Sequence, residues 1–203
     1  MPRPSATNEF VSYVKDELKQ RGFRLCFGRG KMVNGGDAWR AAGYFDDKNK
    51  ILRIAKGRAD WLDVMIHEYA HFLQWVEQPT NVYNADARAS LIVANFLHHK
   101  KQINPTVLKR AFARVMAFER DAERRAVFIA AHWELPVDPQ EYARQANIYI
   151  YSHHLMRDTG KWKPVGNPYR ATTIKRLMPS NFRNLAHQAI PKNVYRALAR
   201  FYK

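Results

Sequence analysis

The sequence predicts a single α+β domain, mostly helical, with one small antiparallel sheet near its beginning. Three observations carry this. Strand-like runs are confined to residues 23–56, where Arg24-Leu-Cys-Phe27, Ala41-Ala-Gly-Tyr-Phe45 and Ile51-Leu-Arg-Ile54 alternate with glycine-rich or polar turns. Apolar residues at helical spacing fill the segments on either side. Helix start signals recur at Asn104-Pro105 and Asp138-Pro139, where a capping side chain precedes a proline at the first helical position. At 203 residues the chain is long enough to bury a core without disulfide or metal staples. It divides into an N-terminal helix and sheet (1–58), a helical core (59–158) and a basic C-terminal segment (159–203).

Each element has its own signature. Over residues 8–21, Phe10, Val14 and Leu18 recur at steps of four and Gly22 suits the C′ position, so an amphipathic helix is expected there. Residues 44–51 read as a hairpin. Between Trp61 and Trp75, Val64, Met65, Phe72 and Trp75 form an apolar stripe, with Asp60 as N-cap. A further helix is expected from about 84 to 101, burying Leu91, Ile92, Phe96 and Leu97. The helix opened by Pro105 extends to about 132, and that opened by Pro139 to about 157. After Gly160 the chain is punctuated by Pro164, Pro168, Pro179 and Pro191, which predicts loops and short helices, the last running from Pro191 to near Tyr202.

Composition excludes several classes. The one cysteine, Cys26, rules out an intramolecular disulfide and the cysteine-rich zinc folds, and fits a reducing compartment. Residues 1–9 contain no apolar signal-peptide core, and no stretch has the length of a membrane span, so a cytoplasmic protein without membrane association is expected. The formal net charge is +16, and residues 157–203 hold eleven Lys/Arg against one acid, Asp158. Such a field attracts DNA or other acidic partners, although a solvated basic face has the same composition. The candidate contacts are Lys161, Lys163, Arg170, Lys175, Arg176 and Arg183, interleaved with Trp162, Tyr169, Phe182, Tyr195, Phe201 and Tyr202.

One motif carries chemistry. His67-Glu68-Tyr69-Ala70-His71 is an H-E-x-x-H pattern inside the 61–75 helix. With 8 histidines in the chain, chance supplies about 0.01 such matches, so coincidence is a poor account of it. Residues four apart share a helix face, so His67 and His71 can place two imidazoles on one metal ion, with Glu68 beside it as general base. One Zn²⁺ per chain is the expected cofactor, lowering the pKa of a bound water to about 7.

A catalytic zinc site needs a third protein ligand. The H-E-x-x-H-x-x-G-x-x-H arrangement is excluded, because Gln74 stands at the glycine position and Glu77 at the third-histidine position. Glu119 and Glu123, four apart in the Pro105 helix, are the better source: one carboxylate can bind metal while the other orients a ligand imidazole. The pair resembles the second motif of the gluzincins, in which the first Glu is the third ligand and the second acid supports it, and that resemblance implies the ligand role for Glu119 and the supporting role for Glu123. Glu123 itself, or one of His98, His99, His132, His153 and His154, remains an alternative ligand. In the Pro139 helix, Tyr149 and His153 share a face with Tyr142 and are candidates to donate a hydrogen bond to a developing oxyanion. Asn147, Tyr151 and His154 accompany them.

A wider set, His67 to Trp75, Glu119 to Arg125, Ala146-Asn-Ile-Tyr149, Lys161-Trp-Lys, Gly166-Asn-Pro-Tyr169 and Met178-Pro179, resembles an uncharacterised family of bacteriophage-encoded putative metallopeptidases over roughly residues 60–182. That resemblance implies a zincin-like fold and a phage origin, with residence in the host cytoplasm, and supplies no substrate; hydrolysis of a peptide or protein substrate is the expectation from the H-E-x-x-H chemistry. The competing expectation is a basic nucleic-acid-binding or phage interaction protein in which the metal site is structural or degenerate.

Overall fold

The computed structural model describes residues 5–35, 40–182 and 189–203. Over these residues the protein is α+β and mostly helical, with a small sheet. Residues 1–78 and 122–137 form one compact unit, and residues 79–121 and 138–203 a second. Helix α4 (Pro105–His132) is unbroken and contributes to both.

In the first unit, α1 (Ala6–Gln20) is capped by Ser5, which accepts a bond from the Asn8 backbone N–H. It ends as a Schellman turn: Gly22 takes φ +77°, and the Phe23 N–H reaches back to the Leu18 carbonyl at 2.8 Å. Strands β1 (Arg24–Gly28), β4 (Gly43–Asp46) and β5 (Ile51–Ala55) form a sheet in the order β1-β5-β4, and β2 (Val33–Asn34) pairs with β3 (Arg40–Ala41).

The sheet is mixed, which corrects the antiparallel expectation. The β4–β5 hairpin places β5 in the centre, and there it runs parallel to β1. The strand expected over 41–45 is interrupted at Ala42, whose carbonyl accepts from the Ala55 N–H. In the hairpin turn, the Asp46 carboxylate accepts from the Lys48 and Asn49 N–H groups.

Helix α2 (Trp61–Glu77) packs against this sheet. Leu52 and Ile54 of β5 and Met65, Ile66 and Phe72 of α2 are fully buried. The approach is close enough that a Cβ on Gly43 would meet Val64 Cγ1 at 2.6 Å, so only glycine fits there. Phe10 of α1 closes the unit from another side, against Tyr69 and Trp133. Asp60 sits at the N-cap position of α2 but makes no capping bond, because Arg58 takes both of its carboxylate oxygens at 2.6 Å.

In the second unit, α3 (Thr80–Leu97) starts four residues earlier than expected, directly after the extended Pro79. Its buried face is Asp86, Ala89, Val93 and Leu97, whereas Leu91 is 62% exposed. The face turns this way because buried Asp86 is drawn to Arg114 of α4, at 2.6 Å. Asn104 caps α4 through the Thr106 N–H, and Asp138 caps α5 (Pro139–Thr159) through those of Gln140 and Glu141. Gly160, in the left-handed region, ends α5.

Short helices α6 (Thr172–Lys175) and α7 (Lys192–Ala199) pack on α5. The last helix stops at Ala199 because the Phe201 carbonyl turns to accept from the Val165 N–H at 2.6 Å. Among the described residues, no helix is long and apolar enough to cross a membrane.

Truncating Phe10 to alanine removes a fully buried ring. Urea unfolding of that variant is expected to show a loss of about 3–5 kcal/mol. A loss under about 1 kcal/mol would mean that α1 does not close the core.

Candidate metal centre

Helix α2 sets the first two ligands. Its sheet-facing side is apolar, which leaves His67, His71 and Gln74 on another side of the cylinder. His71 and Gln74, three apart, bond to each other: His71 Nδ1 lies 2.8 Å from Gln74 Oε1, and Gln74 has no exposed surface. His67 Nδ1 lies 3.1 Å from Glu123 Oε1 of α4, a carboxylate that is itself buried. Each Nδ1 atom thus lies beside an oxygen of another side chain, a setting that suits a proton on Nδ1 when Nε2 binds a metal. The two Nε2 atoms face one another at 3.1 Å.

Two lone pairs aimed at each other over that distance repel unless a proton or a cation lies between them. Tetrahedral zinc with two imidazole ligands holds their nitrogens about 3.3 Å apart. The pair thus matches the spacing that a metal requires. A further contact sets the distance of α2 from the C-terminal half of α4: Arg125 Nη1 meets Glu77 Oε2 at 2.5 Å.

Glu119 lies one turn before Glu123 on the same unbroken helix, so the segment that carries Glu123 also places Glu119. His67, His71 and Glu119 each offer one ligand atom, and these atoms lie within 4.8 Å of one another. The group can hold a metal ion. Two imidazoles and a carboxylate form the mixed nitrogen and oxygen donor set of borderline divalent metals, zinc among them. None of His98, His99, His132, His153 or His154 belongs to such a group among the described residues. His98 instead lies near Trp162, the two rings tilted by 54°, and burial holds its pKa below the ordinary value, with the charges of His99, Lys100 and Lys163 adding to the effect.

Glu68, next to His67, is half-buried. Asp63, one turn before His67, is also half-buried; burial, aided by the negative charges of Asp60 and Glu123, pushes its carboxyl up to about 6. In α5, His153 is almost wholly buried, with its Nδ1 3.1 Å from the Tyr149 carbonyl and the Tyr149 ring across it. Burial lowers the His153 pKa, while the charge of Glu119 pulls the other way.

The sequence reading missed two supporting roles. Gln74 was weighed only as the residue at a glycine position, yet it orients His71; its place three residues on was the available signal. Arg120 and Asn147 hold one loop in common: Arg120 donates to the Phe182 carbonyl, and Asn147 to those of Pro179 and Asn181.

The basic C-terminal candidates separate into distinct groups. Lys161, Lys163, Arg170 and Arg176 are exposed, and Lys175 is paired with Glu141. Arg183 lies outside the described residues. Trp162, Tyr169, Tyr195 and Phe201 are partly buried and pack against the core, and Tyr202 is buried within it.

Two outcomes test this geometry. Gln74→Ala should weaken zinc binding by about 10- to 100-fold, read by competition with a chromophoric chelator; unchanged affinity would deny Gln74 its orienting role. For Asp63, a folded pKa above the unfolded value means that folding takes up a proton. That stabilisation is complete below about pH 4 and is lost as pH rises through about 6. In chelator at pH 8, Asp63→Asn should therefore stabilise the protein by on the order of 2 kcal/mol in urea unfolding, with little gain at pH 4. Equal effects at both pH values would contradict the shift. No family model, curated protein or solved structure matches the chain.

Proposed function

We propose that the protein is a zinc-dependent peptidase of the H-E-x-x-H type with a zincin-like arrangement, encoded by a phage as the motif resemblance implies. The observation that carries this reading is the pair of imidazoles with both Nδ1 atoms engaged and both Nε2 atoms converging at 3.1 Å, beside Glu119. His67, His71 and Glu119 hold the ion, while Glu123 and Gln74 fix the two rings. When bound, zinc acidifies a water and polarises a substrate carbonyl.

Glu68 takes a proton from the attacking water and returns it to the departing amine nitrogen as the peptide C–N bond breaks. Strand β4 is an edge of the sheet and packs on α2. An extended peptide can add to that edge through backbone hydrogen bonds, which would leave the side chains at alternate positions to set preference. The exposed cations Lys161, Lys163, Arg170 and Arg176 favour an additional contact with a polyanion.

The test is cleavage of a proteome-derived peptide mixture, read by mass spectrometry alongside zinc content. Glu68→Gln should keep one zinc per chain and lose about 100-fold or more in cleavage rate. Glu119→Ala should lose both zinc and cleavage. Full hydrolysis by Glu68→Gln, or a parent protein that takes up no zinc, overturns the reading.

A further inference from the structure

Away from the histidine pair, a concave site of about 360 Å³ opens on the sheet side of the first unit. Its walls include Arg29 from the loop after β1, Arg40 from β3 and Arg53 from β5. The parallel register sets Arg53 beside Cys26, another lining residue, and the antiparallel register sets it beside Tyr44. Leu52 and Ile54, the neighbours of Arg53, are buried, so alternation turns Arg53 to the opposite face. No carboxylate lines the cavity among the described residues. Elsewhere Arg58, Arg114, Arg125 and Arg157 each meet an acid, whereas among the described residues no such pair is seen for Arg29, Arg40 or Arg53.

The loop that carries Arg29 is built in place. The Lys56 N–H donates to the Gly28 carbonyl at 2.8 Å, and the Gly57 N–H to that of Gly30 at 3.2 Å. A Cβ on Gly57 would lie 2.3 Å from the Arg29 carbonyl oxygen, so this approach requires glycine. The cost of ordering the loop is thus met by folding and is not left for binding.

We infer that this cavity binds a phosphate ester of nucleotide size. Three guanidinium groups around one concavity repel each other until an anion enters. They come from three different elements, which suits a tetrahedral anion that presents oxygens in several directions better than a planar carboxylate with two. The volume lies in the range that encloses a small organic ligand and exceeds the needs of a bare phosphate. The ester is either a free nucleotide or one nucleotide of a strand. The site is independent of the metal centre and of the basic C-terminal segment.

The experiment is calorimetric titration of the full-length protein, in phosphate-free buffer, with AMP, with a twelve-residue oligothymidylate and with glutamate. Arg29 and Arg40 are exposed, so Arg29→Gln/Arg40→Gln should fold normally; Arg53→Lys and Gly57→Ala are the companion variants. The parent should bind AMP or the oligonucleotide, and the double variant should bind at least about tenfold more weakly. For the oligonucleotide, the salt dependence should fall by about one unit per guanidinium removed.

A control variant, Lys161→Gln/Arg176→Gln, should keep the AMP affinity. Binding of AMP identifies a free-nucleotide site. Binding of the oligonucleotide alone, weakened by the pocket substitutions, identifies a strand site. No binding of either probe at millimolar concentration, equal binding by parent and double variant, or competition by glutamate as effective as that by AMP overturns the proposal.

Discussion

The two imidazoles on α2 converge through their Nε2 atoms, while each Nδ1 lies beside an oxygen of another side chain. Glu123 engages His67, and Gln74 engages His71. The remainder of the first unit serves this arrangement. The sheet presses on the apolar side of α2 through Leu52, Ile54 and the bare backbone of Gly43, which fixes the roll of the helix about its axis. Arg125 and Glu77 fix its distance from α4. A helix free to roll by one residue, about 100°, would carry both imidazoles away from Glu123.

The centre also shows why one long helix is useful here. The acceptor that orients His67 and the carboxylate offered as third ligand stand one turn apart on α4. Within one helix that separation is set by backbone hydrogen bonds and needs no loop or tertiary contact to maintain it. Arg120, the next residue along, instead joins Asn147 in holding the 179–182 loop. The motif residues around Glu119 therefore divide between metal chemistry and loop anchoring. This gives a structural role to parts of the Asn147 and Pro179 motifs that have no evident chemical one.

The sequence made local features legible and left those set by tertiary competition obscure. Helix starts at Asn104-Pro105 and Asp138-Pro139, the Gly22 stop and the 44–51 hairpin were readable because each depends on a few adjacent residues. The parallel β1–β5 pairing was not, since strand order depends on which edge a hairpin meets. On α3, Ile92, Phe96 and Leu97 lie at the core as apolar periodicity indicates, but Leu91 is exposed and the charged Asp86 is buried instead, paired with Arg114. Asp60 failed as a cap for a similar reason, with Arg58 competing for the same oxygens. At the centre, the i, i+4 pattern announced His67 and His71. Gln74 gave no such notice, because an amide that orients a ring has no motif of its own.

Charge distribution links the centre to the rest of the molecule. A protein with net charge +16 is a poor host for a divalent cation if its charges are averaged. The average does not govern, because screening confines exposed charges to a range of about 10 Å. What the ion meets is local. Asp63, Glu68 and Glu77 stand on α2, and Glu119, Asp121 and Glu123 on α4, so six of the chain's 18 acids belong to these two helices. The raised pKa of Asp63 comes first from its burial, to which repulsion from the negative charges of Asp60 and Glu123 adds. A divalent ion at Nε2 would relieve that repulsion, whereas apolar replacements would remove it together with the ligands. The acids of α2 and α4 are placed where a cation would make their burial more favourable, and the arginines that line the sheet cavity follow the same principle with the sign reversed.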